Sequence, residues 1–183
     1  GAIVFMNGGY LWKLDLATEK CTRIPITLGA EAAATVPAFR DVSGNVAGAA
    51  LSPSGVRGVL DARGDLYSVP AKDGATRPLT SSAGVRERDP AWSPDGKWIA
   101  YLSDETGEYE LWVRPQDGSG APRRLTTDGA PWKLAPVFSP DSRKIAFGDR
   151  GQRLRVADVA TGKVTEVDRS GFEDIDVYSF SPD

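Results

Sequence analysis

Four Ser-Pro pairs constrain the fold more than anything else in this chain. Ser52-Pro53, Ser93-Pro94, Ser139-Pro140 and Ser181-Pro182 follow one another at spacings of 41, 46 and 42 residues. Each pair sits between apolar runs: AWSPDGKWIAY at 91–101, LSPSGVRGVL at 51–60, FSPDSRKIAF at 138–147 and FSPD at 180–183. A period in the low-to-mid forties matches a four-stranded propeller blade and does not match the shorter helical repeats.

The motif reads as a turn between two strands. Proline presets its own φ for the first central position of a type I turn, Asp bonds nearby backbone amides, and Gly accepts a positive φ. Ser52, Pro53, Gly55, Ser93, Pro94, Asp95, Gly96, Ser139, Pro140 and Asp141 are therefore structural turn residues. Ser54 stands where the motif has Asp, and Ser142 where it has Gly, so two of the turns are expected to be weaker.

Each interval repeats one internal plan. An apolar-rich run follows the Ser-Pro turn (56–62, 98–103, 144–148), then a polar or Gly-rich turn, then an alternating run (66–69, 111–113, 154–156). A second turn and a short last run complete the unit. Period-two runs separated by Gly, Asp and Asn predict antiparallel strands, and no window sustains a helical period. The N-terminal part fits the same plan without its first strand: strands at 2–6, 10–16 and 21–27, the first two joined by Asn7-Gly8-Gly9, a favoured hairpin turn.

The expected fold class is thus all-β, a β-propeller of four-stranded antiparallel blades, about four in this chain. The blade-like units are 1–27 completed by 177–183, 46–80, 87–126 and 135–168. Residues 28–45, rich in Ala and small polar residues, read as a linker or insertion with at most a short helical turn. Written end to start, SPD and GAIVF repeat SPDGKWIAY, so a strand at 177–180 is expected to complete the first blade and bring the count to sixteen strands. The rival layout is a section of a six- or seven-bladed ring, whose exposed edges would favour homo-oligomers or aggregation.

Composition narrows the chemistry. The chain has no histidine and one cysteine, Cys21. That excludes a Ser-His-Asp or Cys-His site built from this chain alone, histidine-ligated zinc and any internal disulfide. Cys21 reads as a small strand residue, and the compartment stays open between periplasm and cytoplasm. A net charge of −3 gives no electrostatic case for nucleic acid or an anionic membrane. The apolar runs are far too short to span a bilayer. No catalytic residue, metal or cofactor is expected in this chain.

The run AWSPDGKWIAYLSDETGEYELWVRPQDGSGAPRRLT at 91–126 resembles a blade of the propellers of bacterial tricorn-type peptidases. So do NGGYLWKLDLATEK at 7–20, DARGDLYSVPAKDG at 61–74, GVRERDPAWSPDG at 84–96 and LRVADVATGKVTEVDRS at 154–170. TolB-type periplasmic propellers share the Ser-Pro-Asp-Gly blade more loosely. The resemblance implies a non-catalytic propeller that filters or guides peptides toward the catalytic domains of a serine peptidase, with peptides and those domains as partners. The alternative it leaves open is a TolB-like scaffold that binds a protein and has no protease function. Nothing here matches the regions that carry such a peptidase's nucleophile, its histidine or its PDZ-like domain.

Propellers bind at the face made by the loops that feed the innermost strands. Here these are 82–89, 128–134 and 169–176, joined by 104–108. Arg86, Glu87, Arg88 and Asp89 place four charges in a row beside the channel, and either arginine can fork onto a peptide carboxylate. Trp132 and Lys133 occupy the corresponding place one blade on. Glu173, Asp174 and Asp176 form an acidic cluster whose spacing fits no calcium loop. Trp12, Trp92, Trp98 and Trp112 alternate with polar residues and are expected to pack between blades.

Overall fold

The computed structural model describes residues 1–27, 41–129 and 132–182. Contacts divide it into two units, 1–41 and 42–183. The first holds one sheet of three antiparallel strands, β1 (Ala2–Asn7), β2 (Tyr10–Asp15) and β3 (Cys21–Ile24). Gly8 and Gly9 turn β1 into β2 at φ 58° and 77°, the left-handed geometry that Asn-Gly-Gly predicts. Asp15 closes the next turn by accepting from the amides of Ala17 and Thr18. Trp12 donates its indole N–H to the Asn7 carbonyl within this sheet. Cys21 is an exposed free thiol. Of the expected linker, 28–40 lie outside the described residues, and Ser43–Asn45 forms a single 3-10 turn.

The second unit holds three four-stranded antiparallel sheets, each in strict chain order. The first has β4 (Val46–Leu51), β5 (Arg57–Ala62), β6 (Asp65–Pro70) and β7 (Arg77–Pro78). The second has β8 (Glu87–Trp92), β9 (Trp98–Ser103), β10 (Glu110–Pro115) and β11 (Arg123–Arg124). The third has β12 (Val137–Phe138), β13 (Lys144–Asp149), β14 (Arg153–Asp158) and β15 (Val164–Arg169). These are the blades the repeat predicts, here called B, C and D.

The Ser-Pro turns close as their residues dictate. In blade C the Ser93 hydroxyl donates to Asp95 and accepts from the Trp98 amide, while the Gly96 amide bonds the Ser93 carbonyl. Blade D repeats the scheme with Ser139, Asp141 and Lys144. Ser142 takes the glycine position at φ 61°, an unusual conformation for a residue with a side chain. Its hydroxyl accepts from the Asp95 amide at 2.9 Å, so the departure from glycine joins two turns of adjacent blades.

Two apolar clusters fill the spaces between blades. Val59, Leu66 and Leu79 of blade B meet Ile99 and Tyr101 of blade C, with Trp92 and Trp112 packed against them. Leu102, Leu111, Val113 and Leu125 of blade C meet Phe138, Ile145, Phe147 and Ala157 of blade D, with Trp98 alongside. Three of the four tryptophans expected to pack between blades do so. Arginines add links across the same seams: Arg114 donates to the Leu79 carbonyl, and Arg123 to the carbonyls of Val159 and Ala160.

The expected strand at 177–180 is not formed, so the described residues hold fifteen strands and the first sheet has three. A side chain holds this segment elsewhere. The Tyr178 hydroxyl donates to the Ala135 carbonyl and accepts from the Gly148 amide at 2.9 Å, tying the segment to blade D. Gly148 permits this approach, because a Cβ there would collide with the Ile175 carbonyl oxygen. A Gly148→Val substitution is expected to detach residues 171–182 at a cost of about 1–3 kcal/mol. Limited proteolysis checks this: cleavage should appear within that segment while the three sheets stay protected.

Candidate functional site

The site grows from a bulge in the innermost strand of blade C. The register of β8 against β9 shifts between Arg88 and Ala91, and Asp89 takes φ 51°. Bulges bend a strand and re-aim its side chains. Here the result is that Glu87 is buried, at 3% exposure, while Arg88 and Asp89 are half-buried beside it and Arg86 is exposed.

Arg88 lies against two aromatic rings. Its guanidinium carbon is 4.8 Å from the Tyr109 ring centroid and 4.6 Å from that of Trp132. The rings meet edge to face at 4.7 Å. Their negative faces hold a cation in place without consuming its N–H donors. Asp89 pairs with Arg88 at 2.9 Å, and the Lys133 carbonyl accepts a longer bond at 3.4 Å. Trp132 remains 41% exposed, so one side of this aromatic clamp is open to solvent.

Arg86 is fixed through its backbone. Its amide donates to the Asp104 carboxylate at 2.7 Å, and its carbonyl accepts from the Asp104 amide. Its guanidinium forms no ion pair among the described residues. Asp61, near the end of β5, is buried close by. Burial pushes its carboxyl above the ordinary value, and Asp89 adds to the rise while Arg86 opposes it.

Beneath the clamp lies an ionic cluster. Lys133 is fully buried, with its ammonium 3.0 Å from Glu110 and 3.0 Å from Asp128. Glu110, also buried, accepts from the Thr126 hydroxyl and the Gly129 amide. Arg153 and Arg155 bind Asp149, which is fully buried, and both reach Asp128. Burial pushes Asp128 upward, but bonds from Lys133 and Arg155 outweigh it and hold its carboxyl below the usual range.

Of the residues singled out in the sequence, Arg86, Arg88, Asp89 and Trp132 share one face of the second unit. Glu87 and Lys133 instead point into the protein. Glu173, Asp174 and Asp176 lie on the C-terminal segment, where Asp174 is 4.0 Å from Arg150. Sequence reasoning missed Asp61, Tyr109 and the cluster of Glu110, Asp128, Asp149, Arg153 and Arg155. Two of these carried a signal: Asp61 and Asp149 each put a carboxylate at the end of an apolar run within a strand.

These features define a β-propeller segment with a polar, aromatic surface cluster and a buried ionic layer. No protein-family model matches the chain. Curated proteins similar to it include two tricorn protease homologues. It is 29% identical to tricorn protease homolog 1 of Streptomyces coelicolor over 99% of this chain and 18% of that protein. It is also 29% identical to a second tricorn homologue of that organism over 86% of this chain and 14% of the relative. The chain therefore spans less than a fifth of either of these two relatives. Among solved structures, TolB from Acinetobacter baumannii shares the fold with a TM-score of 0.58 at 18% identity, over 90% of this chain and 40% of that one.

Proposed function

We propose that the chain is a non-catalytic propeller segment of a tricorn-like peptidase, and that it receives peptides and guides them toward a catalytic domain. The observation that carries this reading is the Arg88 guanidinium held against Tyr109 and Trp132, near Arg86, whose guanidinium forms no ion pair among the described residues. A pre-oriented arginine suits a carboxylate, the rings suit an apolar or aromatic side chain beside it, and Asp61 and Asp89 discriminate against further negative charge. A peptide end presents that combination. The kinship with tricorn homologues supplies the setting.

Titrating the chain with short peptides, read by tryptophan fluorescence, tests the proposal. Free-acid peptides should bind more tightly than their C-terminal amides. Arg88→Ala is expected to weaken binding about 10- to 100-fold, the size of one charge-assisted hydrogen bond. Equal binding of acid and amide, unaffected by Arg88→Ala, would sink the reading. The chain alone should leave every peptide uncleaved.

A further inference from the structure

Two neighbouring seams of the propeller are built to one scheme and differ in one charge. Between blades C and D, Glu110 begins the third strand, Thr126 follows the fourth, and Lys133 stands opposite Asp149, the last residue of β13. Between blades B and C, the same places are held by Asp65, Thr80 and Glu87, which pairs with Ser103, the last residue of β9. Thr80 precedes Thr126, and Glu87 precedes Lys133, by the same 46 positions. The threonines act alike. Thr126 accepts from the Leu111 amide and gives its proton to Glu110. Thr80 accepts from the Leu66 amide at 2.8 Å and faces Asp65 at 3.5 Å.

The difference lies in the cation. At the C–D seam the Lys133 ammonium balances the carboxylates. At the B–C seam a second carboxyl, Glu87, occupies the lysine's place. The Thr80 hydroxyl has one hydrogen, and both Asp65 and Glu87 draw on it. Glu87 is 97% buried by its 3% exposure, and its Oε2 has no hydrogen-bond partner. The other charges that act on it are acidic, Asp104 and Glu105, and Tyr101 of β9 is influenced by both Glu87 and Arg114. An orphaned, ionised carboxylate in such surroundings has no compensation.

We propose that Asp65, Thr80 and Glu87 form a binding site for one proton, which takes the place that Lys133 fills in the next seam. The proton supplies Glu87 with a donor of its own. It also holds the backbone that presents Arg86 and Arg88, the residues on either side of it. A metal ion suits the place less well, because two carboxyls and a hydroxyl fall short of the six to eight oxygens that calcium takes. Burial, with the nearby acidic groups adding to it, pushes the Glu87 carboxyl up to about 7. The proposal does not depend on the peptide reading above.

The folded chain holds this proton more tightly than the unfolded chain, whose glutamate titrates near the ordinary 4.5. The stability that the proton provides is complete below 4.5 and is lost as pH rises through about 7. The test is thermal unfolding of the chain and of Glu87→Gln from pH 4 to 8.5 at constant ionic strength. The two should melt together at pH 4. By pH 8 the glutamine variant should melt about 5–10 °C higher. Asp65→Asn removes a like charge that raises Glu87, so it should shrink the loss and confine it to lower pH, and Glu87→Lys should fold and abolish the pH window. An infrared band of a protonated carboxyl at pH 6, absent from Glu87→Gln, is the direct signature. A difference between parent and Glu87→Gln that stays flat with pH overturns the proposal. So does a parent that calcium or sodium stabilises at pH 8 in a manner Glu87→Gln abolishes.

Discussion

Replacing Lys133 with methionine is expected to destabilise the second unit by about 3–5 kcal/mol, the usual result of removing one member of a buried ion group. The methionine fills the space well enough, so the loss is electrostatic. It strands Glu110, which is 1% exposed, and deprives Asp128 of one of the cations that hold its carboxyl ionised. Thr126 and the Gly129 amide still bond Glu110, but neither carries a full charge. The double variant Lys133→Met with Glu110→Gln should recover most of the loss, because the amide oxygen still accepts from the Gly129 amide, its NH2 donates to the Thr126 hydroxyl, and no counter-ion is needed. Urea unfolding of the two variants checks this. If the single and double variants are equally unstable, packing of the lysine stem holds the seam together, and the ionic account fails.

Glu87 and Lys133 show where sequence reading succeeds and where it stops. Both were placed beside the channel, because both end loops that feed an inner strand. In the structure Glu87 opens β8 and Lys133 bridges Asp149 ahead of β12. Which way the side chains point was not legible. Alternation along β8 predicts it only if the strand is regular, and the bulge between Arg88 and Ala91 breaks the period. No local signal marked that bulge, because a left-handed Asp89 is a tertiary outcome. The clamp was hidden for a related reason. Arg88, Tyr109 and Trp132 come from different strands and loops, and only the packed seam brings them together. The turns were legible throughout, since Ser93, Asp95 and Gly96 bond one another within a few residues. Tyr178 marks the opposite limit. Its segment carries the strand pattern of the repeat, yet its hydroxyl finds the Ala135 carbonyl and the Gly148 amide, and the strand does not form.

Phe147→Ala is expected to cost about 3–5 kcal/mol as well, by a different route. The ring is fully buried in the cluster between blades C and D, and alanine would leave a cavity there. One face of the ring also supports Arg155, whose guanidinium carbon lies 5.3 Å from its centroid. Arg155 in turn binds Asp128 and the fully buried Asp149. The apolar core and the ionic layer are therefore built on one side chain, and their energies should not add. Phe147→Leu refills most of the volume but withdraws the π face from the arginine, so it separates the two contributions. If Phe147→Leu costs about 1 kcal/mol and combines additively with Arg155→Met, the ring acts through volume alone. A coupling of about 0.5 kcal/mol or more between Phe147→Leu and Arg155→Met would show that the ring positions the arginine, and through it the buried carboxylates beneath the binding face.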